Sequence, residues 1–230
     1  MSIIFAISVL PPLYLLWKVY QADEIEKEPA GLLIRIFALG ALSTIPASFL
    51  EMAGSSVCSM LIPQGGRLFN LVFFFIVVGG AEELVKFLAM RIATWRSPDF
   101  NYVFDGVVYG VTASLGFAAL ENILYVMEGG LVTAGVRAFT SIPLHCITGI
   151  FMGHYYGIAK SADLLGQPQI RNRMLGRAIL IPLVIHGAYD FIASDGSELL
   201  LIVFLAYILL MDYVALRALN QYSKNDLRMF

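Results

Sequence analysis

Two adjacent glutamates and a lysine stand inside the apolar run VVGGAEELVKF, residues 77–87. Lys86 follows Glu82 by four positions and Glu83 by three, so on a helix it can pair with either, and one carboxylate keeps no local partner. Three further apolar stretches carry groups of the same kind: Glu121 and Asn122 in FAALEN, His145 in HCITG, and His186 with Asp190 in HGAYD. His186 and Asp190 are four apart, a spacing that lets the carboxylate orient the imidazole or ligate beside it. A charged side chain at the centre of a membrane helix costs on the order of 2.5 to 3.5 kcal/mol on insertion scales. Glu82, Glu83, Lys86, Glu121 and Asp190 would together cost roughly 10 kcal/mol or more if they faced lipid, so they must face one another or a watered cavity. Imidazoles and carboxylates are good ligands for a divalent metal, zinc above all, and a carboxylate left over beside a water is a general base. Peptide hydrolysis inside a membrane is the chemistry they suit.

The elements that must position these groups are membrane helices. Of 230 residues 59% are hydrophobic and 14% charged, and mean hydropathy is +0.77; an average soluble domain is about a quarter charged. The apolar runs predict an all-α polytopic transmembrane bundle of about seven spans, near residues 2–20, 31–52, 68–93, 104–127, 131–159, 175–194 and 198–218. Each is long enough to cross a hydrocarbon layer of about 30 Å at 1.5 Å per residue. Pro11 and Pro12 should kink the first, which is expected to be a retained span, and the second carries a mid-span proline in STIPASFLE. Lys and Arg gather on one side if the N-terminus is outside and the C-terminus cytoplasmic: Lys18, Arg91, Arg96, Lys160, Arg173 and Lys224 among others, against Arg67 and Arg137 outside. Arg35, just inside the second span, can snorkel to the cytoplasmic surface. One domain covers 1–230, with its core at 31–195, a first span and acidic cytoplasmic loop in 1–30, and a last span and short tail in 196–230.

Counted from the span ends, Glu82, Glu83, His145 and His186 lie near mid-span, with Glu121 and Asp190 displaced to the outer side. Four helices thus bring ionisable groups to one level, which points to a site rather than to scattered structural pairs. His145, Gly149, Gly153 and Gly157 recur every four residues, a small-residue stripe on which another helix packs closely while the histidine points into the bundle. Gly79 and Gly80 should let a neighbouring backbone come near. The loop QADEIEKEP reads as a solvated connector, the FFF run at 73–75 as lipid-facing or packing, His154 as interfacial, and Asp105 as a residue suited to a helix N-terminus.

Other classes fit less well. A formal net charge of -2 with no basic block gives no field for nucleic acid. Cys58 and Cys146 form neither a disulfide framework nor a CxxC motif. HExxH, GxGD and GxSG, the signatures of zinc, aspartyl and rhomboid-type intramembrane proteases, are absent. Buried carboxylates and histidines also build ion pathways, so a transporter or channel is the competing class, although inverted repeats and paired broken helices are not visible.

EELVK, FAALEN, HCITG and HGAYD, in this order on successive apolar helices, resemble the PrsW family of intramembrane metalloproteases, distantly related to the CAAX-processing enzymes. The opening PPLYLLWKVYQADEIEKEP looks like that family's N-terminus as well. The resemblance implies an enzyme of the bacterial cytoplasmic membrane that makes the first cut in a single-pass anti-sigma factor, on its extracytoplasmic side, in a stress response. Glu121 stands where the CAAX enzymes carry histidine and Asp190 where they carry asparagine, and a metal-free glutamate mechanism stays open. The expected roles are catalysis by Glu82 or Glu83, metal binding by Glu121, His145 and His186, and auxiliary contacts by Lys86, Asn122 and Asp190.

Overall fold

The computed structural model describes residues 2–229, with side chains from residue 5 onward. Its regular elements are all helices: α1 (Ser2–Ala22), α2 (Ala30–Leu42), α3 (Thr44–Leu61), α4 (Arg67–Val72), a π-helical segment (Phe73–Gly79), α5 (Gly80–Thr94), α6 (Asp105–Phe139), α7 (Ser141–Leu164), α8 (Pro168–Ala193) and α9 (Glu198–Lys224). Five stretches among the described residues are long and apolar enough to cross a membrane: Ala30–Leu61, Arg67–Thr94, Asp105–Leu164, Pro168–Ala193 and Glu198–Lys224. α1 runs unbroken through Pro11 and Pro12. The second expected span divides at Ser43 into α2 and α3, which puts its proline, Pro46, in the first turn of α3, where the missing N–H costs no helical bond.

α6 is the centre of the bundle. Every residue from Phe104 to Ala119 is buried, as befits a helix that is apolar or small on all sides. α7 lies against it through the predicted small-residue stripe, interlocked with glycines of α6: a Cβ on Gly153 would overlap the Gly106 backbone, and one on Gly110 would overlap Gly149. α2 packs as closely on another side, where Gly40 meets the Ala113 backbone and Gly116 that of Phe37. Of Gly79 and Gly80, the first takes a close backbone of α8, with an added Cβ 3.3 Å from the Gly187 nitrogen; the second would meet, of α8, the Leu183 side chain at 3.8 Å.

Sixty residues of straight helix would be about 90 Å long. Asp105–Leu164 does not extend that way, because the chain reverses at Gly130, whose φ of 72° and ψ of -162° suit a residue without a side chain. The break expected between the spans at 104–127 and 131–159, the sequence EGG, is this turn. It folds residues 131–139 back along α6, so that Arg137 reaches Glu121.

Three segments far apart in sequence meet at one end of the bundle. Phe104 N donates to Asp226 Oδ1 (2.8 Å), Met229 N to Asn101 O (2.7 Å), and Ser223 Oγ to Ala22 O (2.5 Å). Within residues 21–29, expected as a solvated connector, most positions are exposed but two are buried. Asp23 and Glu28 are buried, Glu28 accepts a hydrogen bond from Tyr109 Oη, and burial pushes the Glu28 carboxyl up to about 9 and that of Asp23 to about 6. Asp105 begins α6 as expected and accepts from the backbone N–H groups of Asn101 (2.9 Å) and Tyr102 (2.7 Å). His154 stacks on Tyr222 with ring centroids 3.5 Å apart, remote from the other histidines' partners.

Candidate active site

The π-helical segment ends at Gly79, three residues before Glu82, and its wider turn sets where the first turn of α5 points. Such segments recur at functional sites in α-helices. Lys86, one turn on, is fully buried and spends all three ammonium protons: on Glu82 Oε2 (2.8 Å), Glu83 Oε1 (2.9 Å) and His145 Nδ1 of α7 (2.9 Å). The lysine thus serves both glutamates, where the sequence suggested one. Its ammonium also sits 4.2 Å from the centre of the Phe117 ring, a cation–π contact that adds a second stabilising face.

His145 and His186 are each held by a carboxylate on one nitrogen. His186 Nδ1 donates to Glu83 Oε1 (2.8 Å), which leaves Nε2 facing Asp190 Oδ2 (3.3 Å) and Glu82 Oε2 (3.7 Å). His145 Nε2 donates to Glu121 Oε2 (3.0 Å), so its Nδ1 keeps the lone pair that accepts from Lys86. The two rings stand nearly perpendicular with centroids 5.4 Å apart. The layer inferred from depth alone is therefore one connected cluster, and Asp190 lies beside His186 as its spacing suggested.

Arg137 is the residue that sequence reasoning missed. Its guanidinium donates from Nη2 to Glu121 Oε2 (2.6 Å) and from Nε to Asn122 Oδ1 (2.9 Å), and it lies 4.2 Å over the Tyr125 ring. Asn122 in turn donates to Ser8 O of α1 (3.0 Å) and is fully buried, so its side chain braces Arg137 and α1. A cavity of about 450 Å³ opens over this layer, walled by Glu51, Glu82, Glu121, Arg137, His186 and Asp190 among others. Phe73 and Phe74 also line it, while Phe75 packs on Phe191, which refines the lipid-facing or packing role expected of that run. Glu83 and Lys86 lie behind the wall.

The donor set fits a metal ion. Glu82, Glu83, His145 and His186 each offer one ligand atom, all within 4.8 Å of one another and all buried. Glu83 Oε2 is buried with no hydrogen-bond partner, as is Asp190 Oδ2. Five carboxylates, those of Glu51, Glu82, Glu83, Glu121 and Asp190, are gathered here against two fixed cations, Lys86 and Arg137, an excess that a divalent ion would offset. Glu121, expected as a ligand, stands outside the compact quartet, engaged by Arg137 and His145.

A bundle of membrane-length helices with carboxylates and imidazoles gathered under a cleft is built for hydrolysis within the bilayer. Residues 28–216 match the model of the PrsW family intramembrane metalloprotease, and the chain belongs to that family. Proteins named Protease PrsW are similar over most of their length: that of Oceanobacillus iheyensis is 34% identical over 97% of this chain and 98% of its own, and that of Bacillus subtilis 34% over 86% of each. The Clostridioides difficile relative is 28% identical over 99% of this chain and 94% of its own. No solved structure matches. The protein is an intramembrane protease, a multi-pass protein of the membrane.

Proposed function

We propose that the protein cuts a single-pass membrane protein such as an anti-sigma factor, on its extracytoplasmic side, in the first step of a stress response. The observation that carries the proteolytic half is the quartet of Glu82, Glu83, His145 and His186, three of them lining a cavity of about 450 Å³ and Glu83 directly behind them. The anti-sigma substrate rests on the family likeness alone. Seven crossings follow if α1 spans and Asp105–Leu164 crosses twice, once on either side of its reversal at Gly130. With the N-terminus outside, the cavity then faces the outer leaflet.

Of the two adjacent glutamates Glu82 is the one that lines the cavity, so it is the group assigned to water. It takes a proton from the water whose oxygen adds to the scissile carbonyl carbon, and returns that proton to the departing amide nitrogen. Glu83 through its unpartnered Oε2, together with His145 and His186, would hold a divalent ion, with zinc the metal such ligands suit. When bound, such an ion polarises the carbonyl and brings the pKa of water towards about 7. This reading moves Glu121 from ligand to support: it fixes the His145 ring as a carboxylate partner does at many metal sites.

One observation favours a second reading. His145 Nδ1 is filled by the Lys86 ammonium, which holds Glu82 and Glu83 from the same point. Lys86 can stand in for the cation, leaving a glutamate mechanism without metal. The deciding experiment measures cleavage of a single-pass substrate by purified protein, with bound metal counted in wild type, Glu83→Gln and Glu121→Gln. Metal lost in Glu83→Gln and kept in Glu121→Gln supports the ligand set; full activity in metal-free protein overturns it. Glu82→Gln must abolish cleavage in either case, and a transporter would cleave nothing at all.

A further inference from the structure

A second cavity lies away from the catalytic cluster. It encloses about 780 Å³ where α2, the end of α5 and the following loop come together. Arg35 of α2, Arg91 of α5 and Arg96 of the loop line it, with Trp95 between the last two. Among the described residues none of these three guanidiniums is in an ion pair. Asp99 is the one carboxylate in the wall, and its Oδ2 accepts from Ser97 Oγ (3.0 Å). Lys160 backs the site, donating to Trp95 O at 2.9 Å, so the positive character extends behind the wall.

The rest of the lining is apolar and open sideways. Leu32, Leu88 and Ile92 continue the pocket along α2 and α5, and Ile92 is 71% exposed in a helix of membrane character. Arg91 lies one turn from the end of α5, and Arg35 in the second turn of α2, which puts both guanidiniums at the level where a lipid headgroup sits. Arginines that only snorkel would leave their helices in separate directions. Here three from different elements line one cavity, above a greasy groove and beside a tryptophan, which suits the membrane–water interface. A planar guanidinium recognises phosphate bidentately.

We infer that this pocket binds an anionic phospholipid, its phosphate held by Arg35, Arg91 and Arg96 and its acyl chains lying along Leu88 and Ile92. Basic pockets between helices serve this purpose elsewhere in membrane proteins. Each basic residue near an anionic surface is worth about fivefold in affinity, so removing three should weaken binding roughly a hundredfold.

The test is native mass spectrometry of full-length delipidated protein mixed with equal parts of phosphatidylglycerol and phosphatidylcholine. Wild type should retain phosphatidylglycerol in preference to phosphatidylcholine, one molecule at this affinity. The triple variant R35Q/R91Q/R96Q should lose that adduct, and R173Q/K224Q, which removes two basic residues outside the pocket, should keep it. Because Arg91 also packs over Trp95, the single loop variant R96Q, expected to weaken binding about fivefold, guards against a folding defect. Equal retention of the two lipids by wild type, or an unchanged adduct in the triple variant, overturns the proposal. So does inorganic phosphate displacing the lipid at equal concentration, since the site would then read phosphate and ignore the chains.

Discussion

Replacing Lys86 by methionine keeps most of the side-chain volume and deletes the ammonium. In the wild type that ammonium is fully buried and makes contacts of 2.8 to 2.9 Å with Glu82, Glu83 and His145. The variant leaves two carboxylates, 5% and 0% exposed, without their shared counter-charge. Breaking a buried ion pair from one side costs about 3 to 5 kcal/mol. For a chain of this size each kcal/mol moves the melting temperature by roughly 2 to 4 °C, so Lys86→Met should melt roughly 6 to 20 °C below wild type. Adding Glu83→Gln removes one stranded charge, and the double variant should recover part of the loss, a coupling of about 0.5 to 3 kcal/mol.

The same variant separates the two catalytic readings. If ion and ammonium compete for His145 Nδ1, zinc must bind Lys86→Met more tightly than wild type. At a hundred times its Kd a ligand adds about 2.7 kcal/mol, which would return roughly 5 to 10 °C to the variant. Thermal unfolding of both proteins in detergent, with and without zinc, reads all of these quantities. A Lys86→Met variant that melts within about 2 °C of wild type refutes the buried hub. A variant that melts low but ignores zinc refutes metal binding at that point.

Four further outcomes are expected. Arg137→Gln removes the charged hydrogen bond to Glu121, worth about 1.5 to 3 kcal/mol, so kcat should fall about ten- to a hundredfold with Arg137→Lys restoring part; unchanged kinetics would mean that Glu121 does not need its latch. Dialysis against a zinc chelator should abolish cleavage and readdition of zinc should restore it, in the same peptide assay. Gly153→Leu drives a side chain into the Gly106 backbone, so the variant should insert in the membrane yet lose cleavage and at least about 1 to 3 kcal/mol of stability; wild-type melting would deny the close approach of α6 and α7. Glu28 binds its proton up to about pH 9 in the folded protein but releases it near its ordinary value of 4.5 when unfolded, so stability should decline as pH rises between those values, and Glu28→Gln should flatten that decline in melting curves against pH.

Glu82, Glu83, Lys86, Glu121, His145, His186 and Asp190 were legible because hydrocarbon makes a charge conspicuous: each interrupts an apolar run, and helical rise converts position in the run into depth. The His145 to Gly157 stripe was legible for a similar reason, since a four-residue repeat fixes a face. Arg137 was hidden because the Lys and Arg count places it at the outer surface near the start of a span, whereas the segment that follows the turn at Gly130 returns it to Glu121. The only available signal was an arginine so soon after a Gly-Gly turn in an otherwise apolar stretch. The burial of Asp23 and Glu28 was not legible because distant chain supplies it: Ser223 bonds Ala22 beside Asp23, and Tyr109 bonds Glu28, contacts that no local pattern records. The π-helical segment leaves no periodic trace at all, since its seven apolar residues fit any helix.

The arrangement of Glu82 and Glu83 explains why two adjacent glutamates are more useful here than one. Neighbours on a helix point about 100° apart, so one can face the cavity while the other faces the bundle. Glu82 lines the cavity, whereas Glu83 lies behind it, accepting from Lys86 and His186 on one oxygen and keeping the other free. Lys86 bonds both, so the position of the outer carboxylate is tied to the inner one through a single ammonium. Glu82→Gln should therefore remove the water-facing base while leaving the His186 contact intact, and Glu83→Gln should do the reverse, loosening His186 and any ion beside it. Cleavage lost in both, with bound metal lost only in the second, is the pattern this division of labour requires. Equal metal loss in the two variants would make the pair a joint ligand and remove Glu82 as the base.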